Sequence, residues 1–100
     1  MRRGTNPELT FELPEAITVA VLYITFKQGD RIVLEKDLDA VTYEQEKGII
    51  HLPLTQEDTL KLTDDEPVWV QLRLRDNLGN AVASEPMRVE VGEVFKDGVI

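Results

Sequence analysis

The chain contains no cysteine, a single histidine (His51), one tryptophan, two tyrosines and three phenylalanines. Without cysteine there are no disulfide scaffolds, thiol nucleophiles or iron–sulfur clusters, and one histidine leaves no zinc site of the Cys/His kind. Long apolar runs are also missing. The longest, Val19 to Phe26, is broken by Tyr23 and Thr25 and falls far short of the ~20 residues that span a bilayer. Met1-Arg2-Arg3-Gly4 is basic but leads into Thr5-Asn6-Pro7-Glu8 rather than an apolar stretch. Neither a signal peptide nor a twin-arginine signal is therefore expected, and no membrane partner.

What is present is a chain of 100 residues, 42% apolar and 30% charged, which reads as one globular domain spanning residues 1–100. The net charge is −8, and the acids crowd between Asp37 and Glu66, where nine of them face only Lys47 and Lys61. A phosphate backbone would be repelled by such a surface, so nucleic acid is not an expected partner.

The hydropathy period is close to two almost throughout, and turn residues recur at short intervals. Leu9, Phe11 and Leu13 alternate with Glu8, Thr10 and Glu12 before Pro14 ends the segment. From Ile17 to Gln28, Leu22, Ile24 and Phe26 share one face, with Val21, Tyr23, Thr25 and Lys27 on the other. Gly29-Asp30 then connects to Arg31–Asp37, where Ile32 and Leu34 alternate with Arg31, Val33 and Glu35, a hairpin signature. Val41–Gln45 and Ile49–Leu54 flank Glu46-Lys47-Gly48 as a second hairpin. Thr55 followed by Asp58 resembles a helix N-cap with room for one or two turns. In Val68–Asp76, Val68, Val70, Leu72 and Leu74 oppose Trp69, Gln71, Arg73 and Arg75. Asn77-Leu78-Gly79-Asn80 turns the chain, Ala81–Ser84 returns, and Met87, Val89 and Val91 alternate after Pro86. About seven short antiparallel strands imply an all-β fold, an immunoglobulin-like β-sandwich, with a small closed barrel as the alternative.

Candidate chemistry is sparse. No catalytic residue is expected: His51 has no nucleophile or carboxylate partner that the pattern identifies, and Ser84, the only serine, lies in no nucleophile-elbow sequence. Asp37-Leu38-Asp39 and Asp64-Asp65-Glu66 offer oxygens from two loops, but not the six to eight of a calcium site at any recognised spacing. No cofactor or metal is expected, and a chance pair among nineteen acids is no evidence for glycoside hydrolysis. The candidate interaction surface is Trp69 with Gln71, Arg73 and Arg75, joined by Phe95 of the apolar tail. Tryptophan and arginine are enriched at binding hot spots. The competing reading, favoured by how buried tryptophan is on average, has the acidic loop or a terminus covering Trp69. The tail Val94-Phe95…Val99-Ile100 either completes a sheet or projects a strand for a neighbouring subunit.

Three segments carry a resemblance: Met1-Arg2-Arg3-Gly4-Thr5 leading to an early strand, Leu52 to Leu60, and Val68–Asp76 with Gly79, Ser84 and the closing Val94 to Ile100. Together they resemble small structural proteins of the tails and virions of phages and prophages of Gram-positive gut bacteria. More loosely, they are similar to the immunoglobulin-like N-terminal domain of phage baseplate upper proteins. The order Leu54-Thr55-Gln56-Glu57-Asp58-Thr59, strand, glycine turn, strand also looks like the late part of a fibronectin type III domain. The phage resemblance implies a non-enzymatic tail or baseplate component, located in the virion, with other phage structural proteins or further copies of itself as partners. The alternative is a binding module for a host-surface carbohydrate or another tail protein.

Overall fold

The computed structural model describes residues 1–100, and the fold is all-β and antiparallel. Eight strands follow in order: β1 (Glu8–Glu12), β2 (Val19–Gln28), β3 (Arg31–Asp37), β4 (Thr42–Glu44), β5 (Ile49–Pro53), β6 (Val68–Asp76), β7 (Ala81–Ala83) and β8 (Met87–Val89). One short helix, α1 (Gln56–Leu60), lies between β5 and β6, and a 3-10 turn, Leu38–Ala40, precedes β4. The strands form a three-stranded sheet ordered β1-β5-β4 and a five-stranded sheet ordered β3-β2-β6-β7, with β8 also on β6. β7 and β8 pair with the two halves of β6, so they act as one edge strand interrupted around Pro86. That interruption accounts for the difference between eight strands and the seven expected from sequence.

The inward faces of both sheets meet in a single core of fourteen buried apolar residues. Phe11, Ile50 and Leu52 come from the smaller sheet, and Leu22, Ile24, Phe26, Val68, Val70, Leu72 and Leu74 from the larger. Two sheets closing over one core make a sandwich, and no closed barrel forms. Ile24 and Phe26 are completely buried, so truncating either to alanine costs on the order of 2–5 kcal/mol.

Local chemistry fixes the connections. Gly29 (φ +59°) opens the two-residue β2–β3 loop, and Gly48 (φ +67°) closes the β4–β5 turn, both backbone states that side chains resist. Thr55 Oγ1 accepts from Asp58 N (3.1 Å) while Asp58 Oδ2 accepts from Thr55 N (2.9 Å), a complete capping box at the start of α1. Lys36 of β3 ties this helix to the larger sheet through a 3.0 Å ion pair with Asp58 Oδ1. Gln28, fully buried at the end of β2, holds the acidic loop with three bonds to Thr63 and Glu66 backbone groups.

Two expectations change here. The β3 ladder contains a bulge: Phe26 pairs with Leu34, but Lys27 pairs with Ile32, so Val33 is the extra residue. Leu34 therefore points into the core while Ile32 turns outward and is 61% exposed. The tail is the second. It neither completes a sheet nor forms a strand; it folds back so that Gln56 bonds both the N–H and the carbonyl of Ile100. The N-terminal arm is held by the chain itself. Arg2 makes a parallel bridge with Gly92, and the Arg3 guanidinium reaches Leu62 O (2.7 Å) and Leu60 O (3.2 Å) past α1.

Candidate docking face

The alternation of β6 puts Trp69, Gln71, Arg73 and Arg75 on the outer face of the five-stranded sheet, every one exposed. Register then decides which residues stand beside them. Across the β2–β6 ladder Lys27 faces Trp69, Thr25 faces Gln71, Tyr23 faces Arg73 and Val21 faces Arg75. On the other side Arg88 faces Trp69, and Ala83 and Ala81 face Arg73 and Arg75. The result is a row-by-row surface with two half-exposed aromatics, Trp69 (43%) and Tyr23 (46%), among four cations.

Trp69 is not covered by the acidic loop or by a terminus, contrary to the reading that tryptophan burial favours. The loop is pulled away by Gln28 and by the 2.7 Å pair between Arg31 and Glu66. The N-terminal arm runs beside Gly92 and α1 instead. Lys27, Arg73 and Arg75 form no ion pair, while Arg88 pairs with Glu90 at 2.9 Å. A shallow groove of about 380 Å³ runs beside the indole, lined by Thr25, Lys27, Gly29, Trp69, Gln71 and Pro86. A second hollow of about 210 Å³ lies between Tyr23, Arg73 and Arg75. A flat face carrying aromatic anchors and unpaired cations is suited to docking, because it can supply both apolar area and charge-assisted hydrogen bonds.

Phe95 does not belong to this face. It is 96% exposed on the tail segment, which Asp97 ties to Arg3 (3.5 Å) and Ile100 ties to Gln56. Sequence reasoning placed Tyr23 and Lys27 on the outer side of β2 but did not join them to Trp69. Alternation gives the face of each strand, whereas joining them needs the β2–β6 register, set by long-range pairing.

The smaller sheet holds the other polar cluster. His51 Nε2 lies 3.1 Å from Glu44 Oε2, and its Nδ1 lies 3.7 Å from Glu8 Oε2. The expectation of a histidine without partners is therefore corrected: β1 and β4 flank β5 and bring a carboxylate to each side of the ring. The hydrogen bond with Glu44 raises the His51 pKa above its ordinary 6.5, against the effect of desolvation and with further help from the charge of both carboxylates. The same bond is the main cause holding the Glu44 carboxyl low. Neither nitrogen of His51 reaches a serine or threonine hydroxyl. Ser84 instead continues the β6 edge, its Oγ accepting from Leu72 N (3.0 Å) and its own N–H donating to Leu72 O (2.8 Å).

The two acidic runs considered for calcium are not brought into one ligand set, and no three acidic or imidazole groups gather where they could hold a metal ion. Asp37 caps the 3-10 turn by accepting from Asp39 N, and Glu66 pairs with Arg31. Asp76, buried at the end of β6, accepts from Leu78 N, Asn80 N and Asn80 Nδ2 and so shapes the β6–β7 turn. Those bonds, that of the Asn80 side chain foremost, hold its carboxyl below the usual aspartate value. No helix is long and apolar enough to cross a membrane. Comparison with family models, with curated proteins and with solved structures finds no match.

Proposed function

We propose that this chain is a non-enzymatic docking module, a structural component of a phage or prophage particle, that assembles through the outer face of its five-stranded sheet. The observation that carries the docking role is Trp69, half exposed beside Lys27, with Arg73 further along the same face beside Tyr23, both cations without an acidic partner. Leaving a tryptophan and unpaired cations on a flat, rigid surface has no benefit to the core, and such residues dominate interface energetics when covered. The virion assignment, in a tail or baseplate, is supported by the sequence resemblance and by a fold whose polar groups mostly serve turns and caps. The strand order supports the immunoglobulin-like reading. β1-β5-β4 corresponds to strands B-E-D, β3-β2-β6 to C′-C-F, and the interrupted β7/β8 to G.

A second reading has its own observation. The groove beside the indole is lined by Thr25, Lys27 and Gln71 together with Trp69, a mix of polar side chains and an aromatic that also suits a sugar ring. In that case the chain is a binding module for a host-surface carbohydrate.

The test is quantitative mass spectrometry of particles purified from the encoding strain, with wild-type chain and with Trp69→Ala/Arg73→Glu. A wild type present at a fixed low-integer copy number and a folded variant missing from particles are the expected results. Wild-type chain absent from particles contradicts the virion assignment. Equal incorporation of the variant contradicts the docking face. Retention of a glycan by the free chain, lost in Trp69→Ala, selects the carbohydrate reading.

A further inference from the structure

The two outer faces of the sandwich differ in sign. The five-stranded face carries Lys27, Arg73 and Arg75, which form no ion pair, and Arg88, which pairs with Glu90; Glu35 and Asp37 lie on its edge strand β3. The three-stranded face carries Glu8, Glu12 and Glu44, exposed on β1 and β4, around the one imidazole of His51. We infer that the occupant of the Trp69 face is a second copy of this chain, seated by the outer face of its three-stranded sheet. The inference rests on the docking reading above and identifies the partner.

Three observations carry it. The first is charge complementarity. A face-to-itself dimer would set Arg73, Arg75 and Lys27 against the same cations, whereas the acidic sheet face offers carboxylates across from them; opposed potentials fix both orientation and specificity. The second is that the sheet edges are poor interfaces. β3 is bulged and charged, β4 and β7/β8 are only three residues long each, and β1 lies between Pro7 and Pro14. Edges treated this way resist strand addition, which leaves the faces. The third is size. The molecule measures 46 × 27 × 18 Å, a slab whose two broad sides are the largest surfaces it offers a partner.

The geometry of such a contact is heterologous, one face to the opposite face, so each copy retains one free face of each sign. A heterologous contact propagates, closing into a ring or extending as a filament according to its rotation. That property fits a part used in many copies.

Analytical ultracentrifugation of the full chain tests this. Wild-type chain is expected to associate with concentration and to dissociate in high salt, as the screening length falls from about 10 Å at 0.1 M to about 3 Å at 1 M. Arg73→Glu/Arg75→Glu and Glu8→Lys/Glu12→Lys should each sediment as monomers whose melts show them folded, the second melting somewhat lower because it loses the Glu8–His51 contact. Mixed, they should associate again, because each variant keeps one working face and the two reversed faces are complementary to each other. The milder Arg73→Gln/Arg75→Gln pair guards against a folding artefact and should weaken association by more than about tenfold. A wild type monomeric to about 1 mM, a concentration at which even weak specific contacts form, overturns the inference. So does an oligomer that neither salt nor either variant disturbs. If the wild type is monomeric but Trp69→Ala/Arg73→Glu is still lost from particles, only the second-copy partner fails. If that variant is also retained, the docking face fails with it.

Discussion

Lys27 and Trp69 stand directly opposite each other on the outer face of the β2–β6 ladder, and both are exposed. A cationic stem beside an indole offers a partner an apolar surface and a charge side by side. From this pairing follows a separation of stability from binding. Trp69→Ala should lower folding stability by about 1 kcal/mol or less, as expected for an exposed position, while removing docking. Urea denaturation beside a particle-incorporation assay checks both halves.

Lys36 and Asp58 give the opposite case, an ion pair made for the fold. The Asp58 side chain is 8% exposed and that of Lys36 is 23% exposed. Burial works to raise the Asp58 carboxyl, but the bonds from Thr55 and the Lys36 ammonium outweigh it and hold the pKa below its usual value. Asp58→Ala removes the capping box and strands the lysine, and should cost about 2–4 kcal/mol. Lys36→Ala leaves the cap intact and should cost less, about 1–2 kcal/mol. Chemical denaturation of the two variants gives the order directly.

The bulge in β3 predicts a contrast between two residues of similar character. Ile32→Ala should change stability by no more than about 0.5 kcal/mol, because its side chain lies outside. Leu34→Ala should cost about 2–4 kcal/mol, because its side chain is 7% exposed in the core. Similar losses for both would place Ile32 in the core and remove the bulge.

This position also shows how much of the molecule was legible in the sequence. Strict alternation in β6 gave both its ends and its faces, and the same held for the inner row Leu22, Ile24 and Phe26 of β2. Alternation failed at Val33 because a bulge adds one residue to one strand only, and nothing local marks it. The β-branched tail looked like a strand, yet Gly98 (φ +89°) and the bonds to Gln56 fold it back instead. Of the candidate surface, the four β6 residues were legible from period two. Their neighbours Tyr23, Lys27 and Arg88 were not, because they arrive through pairing between distant segments. Glu8 and Glu44 reached His51 the same way.

His51 sets a pH dependence with a definite sign. Its pKa in the folded chain is raised above 6.5 by Glu44 first and Glu8 after it, so the folded state binds the proton more tightly than the unfolded state. The contribution to stability is complete below pH 6.5 and is lost as pH rises through the folded value. Melting temperature should therefore fall as pH rises across that window, and His51→Gln should flatten this part of the profile. A thermal melt series from pH 5.5 to about 8.5, bracketing the histidine range, checks it.

Arg3 closes the molecule where its two terminal segments meet. With its guanidinium on Leu60 and Leu62 carbonyls and its N–H on Gly92 O, it joins the N-terminal arm to α1 and to the segment after β8. Arg3→Ala should speed hydrogen exchange at Gly92 and in the last turn of α1 while β2 and β6 stay protected. Local opening of this kind leaves the core unaffected.

The most direct measurement of the central claim is lysine and tryptophan footprinting, comparing the free chain with the chain in purified particles. The account predicts that Lys27 and Trp69 react in the free chain and are shielded in the particle, while Lys61 at the end of α1 and Lys96 in the tail, on neither sheet face, change less. Lys27 and Trp69 remaining equally reactive in both states would contradict it, and shielding confined to the Phe95 tail would move the interface there.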